Sequence, residues 1–145
     1  MIALDTNVLV RCLTLDEPSQ VPAARALLGH AGGVFISKTV LLELEWVLRA
    51  AYRLTPPAIH AAMLRLCGLP NLTLEDPSQV TQALADHAQG LDFADALHVA
   101  SSIADEGMFS FDTALVDAAK DAGRAVRLAG GSRLRGTKPR SRRGG

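Results

Sequence analysis

The sequence predicts an α/β domain in which a parallel sheet carries helices on both faces. Five short apolar segments alternate along the chain with stretches of helical periodicity. Such alternation is typical of parallel sheets, because parallel strands need long crossover connections that are usually helices. Hydrophobic residues make up 48% of the chain but aromatic residues only 4%, so Ala, Leu and Val must fill the core. A chain of 145 residues is expected to form one such domain.

The predicted strands are short and mostly apolar, and they cover residues 1–4, 34–37, 72–74, 108–111 and 125–128. The first ends at Asp5 and the fourth ends at Asp112. Ligands of open α/β sheets bind beyond the carboxyl ends of the strands, at the point where the strand order reverses. Both aspartates therefore lie where a functional site is expected.

Seven predicted helices occupy the intervening stretches: residues 6–14, 21–28, 38–52, 58–67, 77–89, 93–106 and 113–122. The third follows Ser37 and Thr39, and either hydroxyl can cap it. Gly68 terminates the fourth helix and Gly107 the sixth, since glycine is favoured just beyond a helix end.

The distribution of charged residues indicates a domain at residues 1–130 and a basic tail at residues 131–145. The tail holds six of the fifteen basic residues and no acidic one, so the domain carries a net charge of −6. With few apolar residues, the tail is expected to be disordered. Three roles for it stay open: binding RNA phosphates, folding back on the acidic domain, or remaining an inert extension.

The sequence also predicts a cytoplasmic protein. No apolar stretch approaches the ~20 residues of a membrane span, and no basic region precedes the short apolar start, as a signal peptide would require. Cys12 and Cys67 are far apart and outside any CxxC pattern, so we expect them to be buried, reduced thiols.

Four carboxylates in apolar surroundings are the most informative feature of the chain: Asp5, Glu43, Asp95 and Asp112. An ionised carboxylate in a low-dielectric setting is unfavourable unless a partner or a cation neutralises it. Few lysines or arginines lie near these positions in the sequence. A divalent metal held by several carboxylates would satisfy all four.

Oxygen ligands alone favour a hard cation, Mg²⁺ or Mn²⁺. The four histidines show no short mutual spacing of the kind found in zinc sites. A carboxylate-bound Mg²⁺ activates water and stabilises the charge that develops on phosphorus. The predicted reaction class is therefore metal-assisted hydrolysis of phosphodiesters.

Four segments, in order, resemble those of the PIN-domain ribonucleases, and above all the VapC-type toxins of bacterial toxin–antitoxin pairs: Asp5-Thr-Asn-Val-Leu-Val10, Thr39-Val-Leu-Leu-Glu-Leu-Glu-Trp-Val-Leu48, Asp92-Phe-Ala-Asp-Ala-Leu-His98 and Ser110-Phe-Asp112. The likeness covers about residues 1–128. It implies a three-layer α/β/α sandwich with a five-stranded parallel sheet, a Mg²⁺ or Mn²⁺ site and endoribonuclease activity on RNA. It also implies a homodimer that a small cognate antitoxin inhibits.

By this resemblance, Asp5, Glu43, Asp95 and Asp112 take the four acidic positions of the family. Glu45 rivals Glu43, since the two lie about 200° apart on a helix and only one can face the site. The resemblance favours Glu43.

Four further residues have a secondary place in the predicted site: Thr6, Asn7, Asp92 and Ser110. Thr6 and Asn7 can hydrogen-bond the Asp5 carboxylate, and Asn7 can instead cap the first helix. Asp92 is a peripheral metal or water ligand or a helix cap. Ser110 either orients a phosphate or is a plain strand-end hydroxyl.

Two alternative functions accompany the predicted nuclease. A haloacid-dehalogenase-type phosphatase also begins with a strand-end aspartate, but Asn7 occupies the place of its second carboxylate. A PIN-like module that binds RNA or protein without cutting is the other alternative. Among the remaining polar residues, we expect Asp86 to be a solvated or capping charge and His98 a packed histidine.

Overall fold

The computed structural model describes residues 1–130, so the predicted tail at 131–145 lies outside the described residues. The strands are β1 (Ile2–Ala3), β2 (Val34–Ile36), β3 (Leu72–Leu74), β4 (Met108–Ser110) and β5 (Val126–Leu128). The helices are α1 (Thr6–Leu13), α2 (Val21–Leu28), α3 (Lys38–Ala50), α4 (Pro56–Cys67), α5 (Pro77–Ala88), α6 (Phe93–Ser101) and α7 (Thr113–Asp121). Every predicted element is present, most of them within two residues of the predicted ends.

The strands are parallel, as predicted, but they form two sheets. One sheet has the order β1-β2-β3, with Ile2 opposite Val34 and Val34 opposite Leu72. The other pairs β4 with β5, with Met108 opposite Val126. No ladder joins the two sheets within residues 1–130, so the expected single five-stranded sheet is not present there. Because β1 contains only two residues, it has few backbone N–H and C=O groups that could pair with another strand on the side away from β2.

Two clusters of buried side chains form the core. The larger brings together residues of α1, α3, α4, α5 and α6 around β2, with Ile36, Leu44 and Phe93 among its fully buried members. The smaller lies between α6, α7 and β5, and it consists of Val99, Leu115, Ala119 and Val126. This second cluster fixes β5, and through it β4, against the rest of the domain.

Helix α6 is shorter than the sequence pattern predicts, because it ends at Ser101 instead of near Glu106. The Ser102 hydroxyl donates a 2.7 Å hydrogen bond to the carbonyl of His98, which satisfies a carbonyl of the last turn. The chain reaches β4 through Gly107, whose φ of +83° is unfavourable for other residues. A side-chain Cβ at this position would lie 2.5 Å from the carbonyl oxygen of Ala125, so only glycine fits.

Among residues 1–130, no helix combines the length and the apolar character that crossing a bilayer requires.

Candidate functional site

Asp5 and Asp112 each lie between the end of a strand and the start of a helix, as predicted. Asp5 is the N-cap of α1, and its Oδ1 accepts a hydrogen bond of 3.3 Å from the backbone N–H of Val8. Asp112 is the N-cap of α7 and accepts a hydrogen bond of 3.1 Å from the N–H of Leu115. Each cap bond engages one carboxylate oxygen and leaves the other available, since both side chains are exposed.

Asp92 and Asp95 lie one turn apart at the start of α6. Asp92 caps this helix and accepts a hydrogen bond of 3.1 Å from the N–H of Asp95, which confirms its capping role. Asp95 is half-buried and caps no helix. Its carboxylate is therefore held in place by the packing of α6 and not by a backbone donor.

The electrostatics of Asp95 show which acidic side chains surround it. Partial burial raises the pKa of the Asp95 carboxyl above its ordinary value, and the negative charges of Asp92 and Asp112 raise that pKa further. The nearby His98 offsets a part of this shift. Asp92, Asp95 and Asp112 therefore form a local concentration of negative charge, as a cation site requires.

This raised pKa predicts that Asp95 destabilises the metal-free protein at neutral pH. A carboxyl whose pKa is higher in the folded state loses its stabilising contribution as the pH rises through that value. In EDTA, Asp95→Asn should therefore melt at a higher temperature than the wild type at pH 7. The difference in melting temperature between the two proteins should shrink as the pH falls to 3.8, the ordinary pKa of an aspartate carboxyl. Thermal unfolding at a series of pH values measures it, and a constant difference would contradict the pKa shift.

Glu43 and Glu45 line one open cavity at α3, but they differ in exposure and in hydrogen bonding. Glu45 is only 2% exposed, and its Oε1 accepts a hydrogen bond of 2.9 Å from Nε of Arg49. Glu43 is exposed and lines an open cavity of about 380 Å³. The lining includes Thr39 and Ala94, the neighbour of Asp95 on α6. Glu45 is thus engaged in an ion pair, whereas Glu43 remains available beside the α3–α6 junction.

The acidic side chains do not form a preassembled metal site. Within residues 1–130, no group of three or more His, Cys, Asp or Glu side chains is positioned to hold a metal ion. The expected convergence of all four carboxylates is therefore not observed. Asp5, Asp92 and Asp112 each turn toward the first turn of a helix. These bonds satisfy backbone N–H groups that a helix start leaves without intrahelical partners.

No salt bridge among residues 1–130 includes a candidate carboxylate. The ion pairs of this part of the chain are Arg11–Asp16, Lys38–Asp76, Arg49–Glu45 and Arg124–Asp86. None of them includes Asp5, Glu43, Asp92, Asp95 or Asp112. Carboxylate oxygens outside salt bridges fit Mg²⁺ or Mn²⁺, which prefer oxygen ligands.

The remaining secondary residues have supporting positions. The Ser110 hydroxyl accepts a hydrogen bond of 3.0 Å from the N–H of Asp112, so it fixes the backbone at that carboxylate. Thr6 is buried at the start of α1. Asn7 is exposed in the first turn and does not cap the helix, because Asp5 does.

Two predictions about polar residues were wrong. Asp86 is only 1% exposed, and both of its oxygens lie 2.9 Å from Arg124 nitrogens. Asp86 lies three residues after the apolar Ala83, so the two share a face of α5, and this periodicity could have predicted that Asp86 faces the core. His98 is exposed near Asp95 and is not packed.

Comparison with protein families matches residues 2–121 to the PIN domain. The chain belongs to the PIN domain family. PIN domains are generally nucleases and typically use divalent metals. The family match removes the haloacid-dehalogenase alternative. No curated protein matches the chain.

Proposed function

We propose that this PIN domain is a Mg²⁺- or Mn²⁺-dependent endoribonuclease, the toxin component of a toxin–antitoxin pair. The observation that carries the proposal is the acidic group around Asp95. Asp92 and Asp95 lie at the start of α6, and Asp112 follows β4. The charges of Asp92 and Asp112 raise the pKa of Asp95, and no salt bridge of residues 1–130 includes any of the three. In a PIN domain, these carboxylates would supply the oxygen ligands that metal-assisted hydrolysis needs.

The proposed roles follow from how each carboxylate is held. Asp5, Asp95 and Asp112 would hold the cation, which supplies an activated water and stabilises charge on the phosphate. Asp5 and Asp112 each retain an oxygen that is not used in capping, and Ser110 steadies the backbone of Asp112. Glu43, exposed near α6, would complete the site or position the attacking water.

The proposed partners are RNA, a small antitoxin and a second copy of the chain. They rest on the resemblance of the four acidic segments to VapC-type toxins. An open apolar cavity of about 470 Å³ between α4 and α5 includes Leu64, Leu74 and Leu84 in its lining. Such a groove suits the apolar face of an antitoxin helix.

Incubation of the purified protein with end-labelled single-stranded RNA tests the activity. We expect cleavage with Mn²⁺ or Mg²⁺ and none with EDTA. The products should carry 5′-phosphate and 3′-hydroxyl ends, because water and not the RNA 2′-hydroxyl is the nucleophile. Ends with 2′,3′-cyclic phosphate would contradict metal-activated water as the nucleophile.

A non-catalytic PIN module that binds RNA or protein is the second candidate. It is favoured by one observation, the lack of a preassembled group of three ligands within residues 1–130. The same incubation separates the two functions. Binding of RNA without cleavage, at saturating Mn²⁺, would support the module and contradict the nuclease.

A further inference from the structure

The sheet formed by β4 and β5 has one face on the core and one face in solvent. Met108 and Val126, which are register partners, pack against the cluster that contains Val99. Side chains alternate between the two faces of a strand, so Phe109 and Arg127 lie on the opposite face. Both of these side chains are exposed. The outer face of this sheet therefore presents an aromatic residue and a cation side by side.

Phe109 and Arg127 are in contact across the two strands. The Arg127 guanidinium carbon lies 6.0 Å from the centre of the Phe109 ring, within the range of a cation–π interaction. This contact holds a positive charge on the surface of a domain whose net charge is −6. A cation at this position can attract a polyanion to the outer face of the β4–β5 sheet.

Phe111 continues this surface to the candidate site. It directly follows β4, it directly precedes Asp112, and it is 84% exposed. Exposed apolar patches mark interaction sites, and Phe111 lies only two residues from the exposed Phe109. The hydrogen bond from the Asp112 N–H to the Ser110 hydroxyl restrains the backbone on both sides of Phe111. The Phe111 side chain is therefore attached to an ordered backbone, one residue from a candidate metal ligand.

We infer that Phe111, with Phe109 and Arg127, forms a stacking platform for single-stranded RNA beside Asp112. The inference deepens the proposed function and rests on it. Aromatic side chains stack on unpaired bases without sequence preference, and arginine adds cation–π and phosphate contacts. The base that stacks on Phe111 would belong to a nucleotide next to the cleaved phosphate. The platform would position the strand, while the carboxylates act on the phosphate.

Fluorescence anisotropy with a short labelled single-stranded RNA tests the platform in EDTA, where cleavage does not interfere. Phe111→Ala should raise the Kd about 5- to 150-fold, as expected for the loss of one base–aromatic stack. Phe111→Trp should restore binding. Leu15→Ala is the matched control, since Leu15 is 68% exposed. It follows the C-terminal end of α1, whereas Asp5 caps the N-terminal end of that helix. Its Kd should stay within about twofold of the wild type.

Abasic RNA shows whether the lost contact is to a base. An oligonucleotide with one abasic site at the stacked position should bind the wild type as weakly as intact RNA binds Phe111→Ala. Combining the abasic site with Phe111→Ala should add no further loss, because both remove the same contact. Additive losses would overturn the stacking contact.

The outcomes distinguish this inference from the proposed nuclease activity. If the wild type cuts RNA and Phe111→Ala binds and cuts equally well, the platform is wrong and the nuclease stands. If binding depends on Phe111 but no RNA is cut at saturating Mn²⁺, the platform stands and the nuclease is wrong. A wild type that binds no RNA overturns the platform. So does a Phe111→Ala variant with unchanged Kd but an altered oligomeric state in light scattering, which would make the surface a protein contact.

Discussion

Replacing Asp95 with Asn should abolish Mn²⁺-dependent RNA cleavage while the protein stays folded. Asn keeps the shape of the side chain but removes the charge that binds a hard cation. Metal catalysis contributes several kcal/mol of transition-state stabilisation, and each 1.36 kcal/mol is tenfold in rate, so we expect a loss of at least about 100-fold. Asp95 is the most informative position because it caps no helix, and its replacement costs no capping bond. Single-turnover cleavage of labelled RNA measures the effect.

The same loss is expected for Asp5→Asn and Asp112→Asn, even though both residues are helix caps. Asparagine is about as good a cap as aspartate, so these variants should retain α1 and α7. Asp117→Asn is the matched control for Asp112→Asn, because Asp117 is an exposed carboxylate on the same helix. Circular dichroism and melting temperature verify folding. Full activity in a folded Asp95→Asn variant would remove this carboxylate from the site.

The positions of the elements could be predicted from sequence because local signals determine them. Asp5, Ser37 and Asp112 each follow an apolar segment and cap the next helix with a side-chain oxygen. These bonds span only three residues, so the sequence around each cap contains all the information needed. The resulting strand-to-helix turns also place Asp5 and Asp112, which is why half of the candidate site was predictable from the pattern alone.

Contacts between distant residues could not be predicted in the same way. Asp86 and Arg124 are 38 residues apart, and helical periodicity near Asp86 shows only that it faces inward. By contrast, the Glu45–Arg49 pair spans only four residues of α3, a spacing that the sequence already shows. Strand pairing is also non-local, so the division into two sheets left no signal in the five apolar segments. Convergence of the four candidate carboxylates would also be a contact between distant segments, and it is not observed within residues 1–130.

Removing the partner of Asp86 should strongly destabilise the domain. Arg124 follows α7, and its Nε and Nη2 each donate a hydrogen bond of 2.9 Å to an oxygen of Asp86, a carboxylate that is 1% exposed. Arg124→Ala leaves this charge buried without a partner, which costs about 3–5 kcal/mol in buried pairs. Because the Arg124 side chain is 32% exposed and water can enter the vacated space, we expect the lower end of that range. The free energy of unfolding in urea measures it.

Two further variants show that the loss arises from an unpaired charge and not from missing arginine packing. Arg65→Ala removes an exposed arginine from α4 and should change the free energy of unfolding by no more than about 0.5 kcal/mol. Combining Arg124→Ala with Asp86→Leu removes the stranded carboxylate and replaces it with an apolar group of similar size. Since the penalty comes from burying an uncompensated charge, this double variant should be more stable than Arg124→Ala alone. Equal instability of the single and double variants would show that the arginine stem, and not the ion pair, stabilises the contact between α5 and the segment after α7.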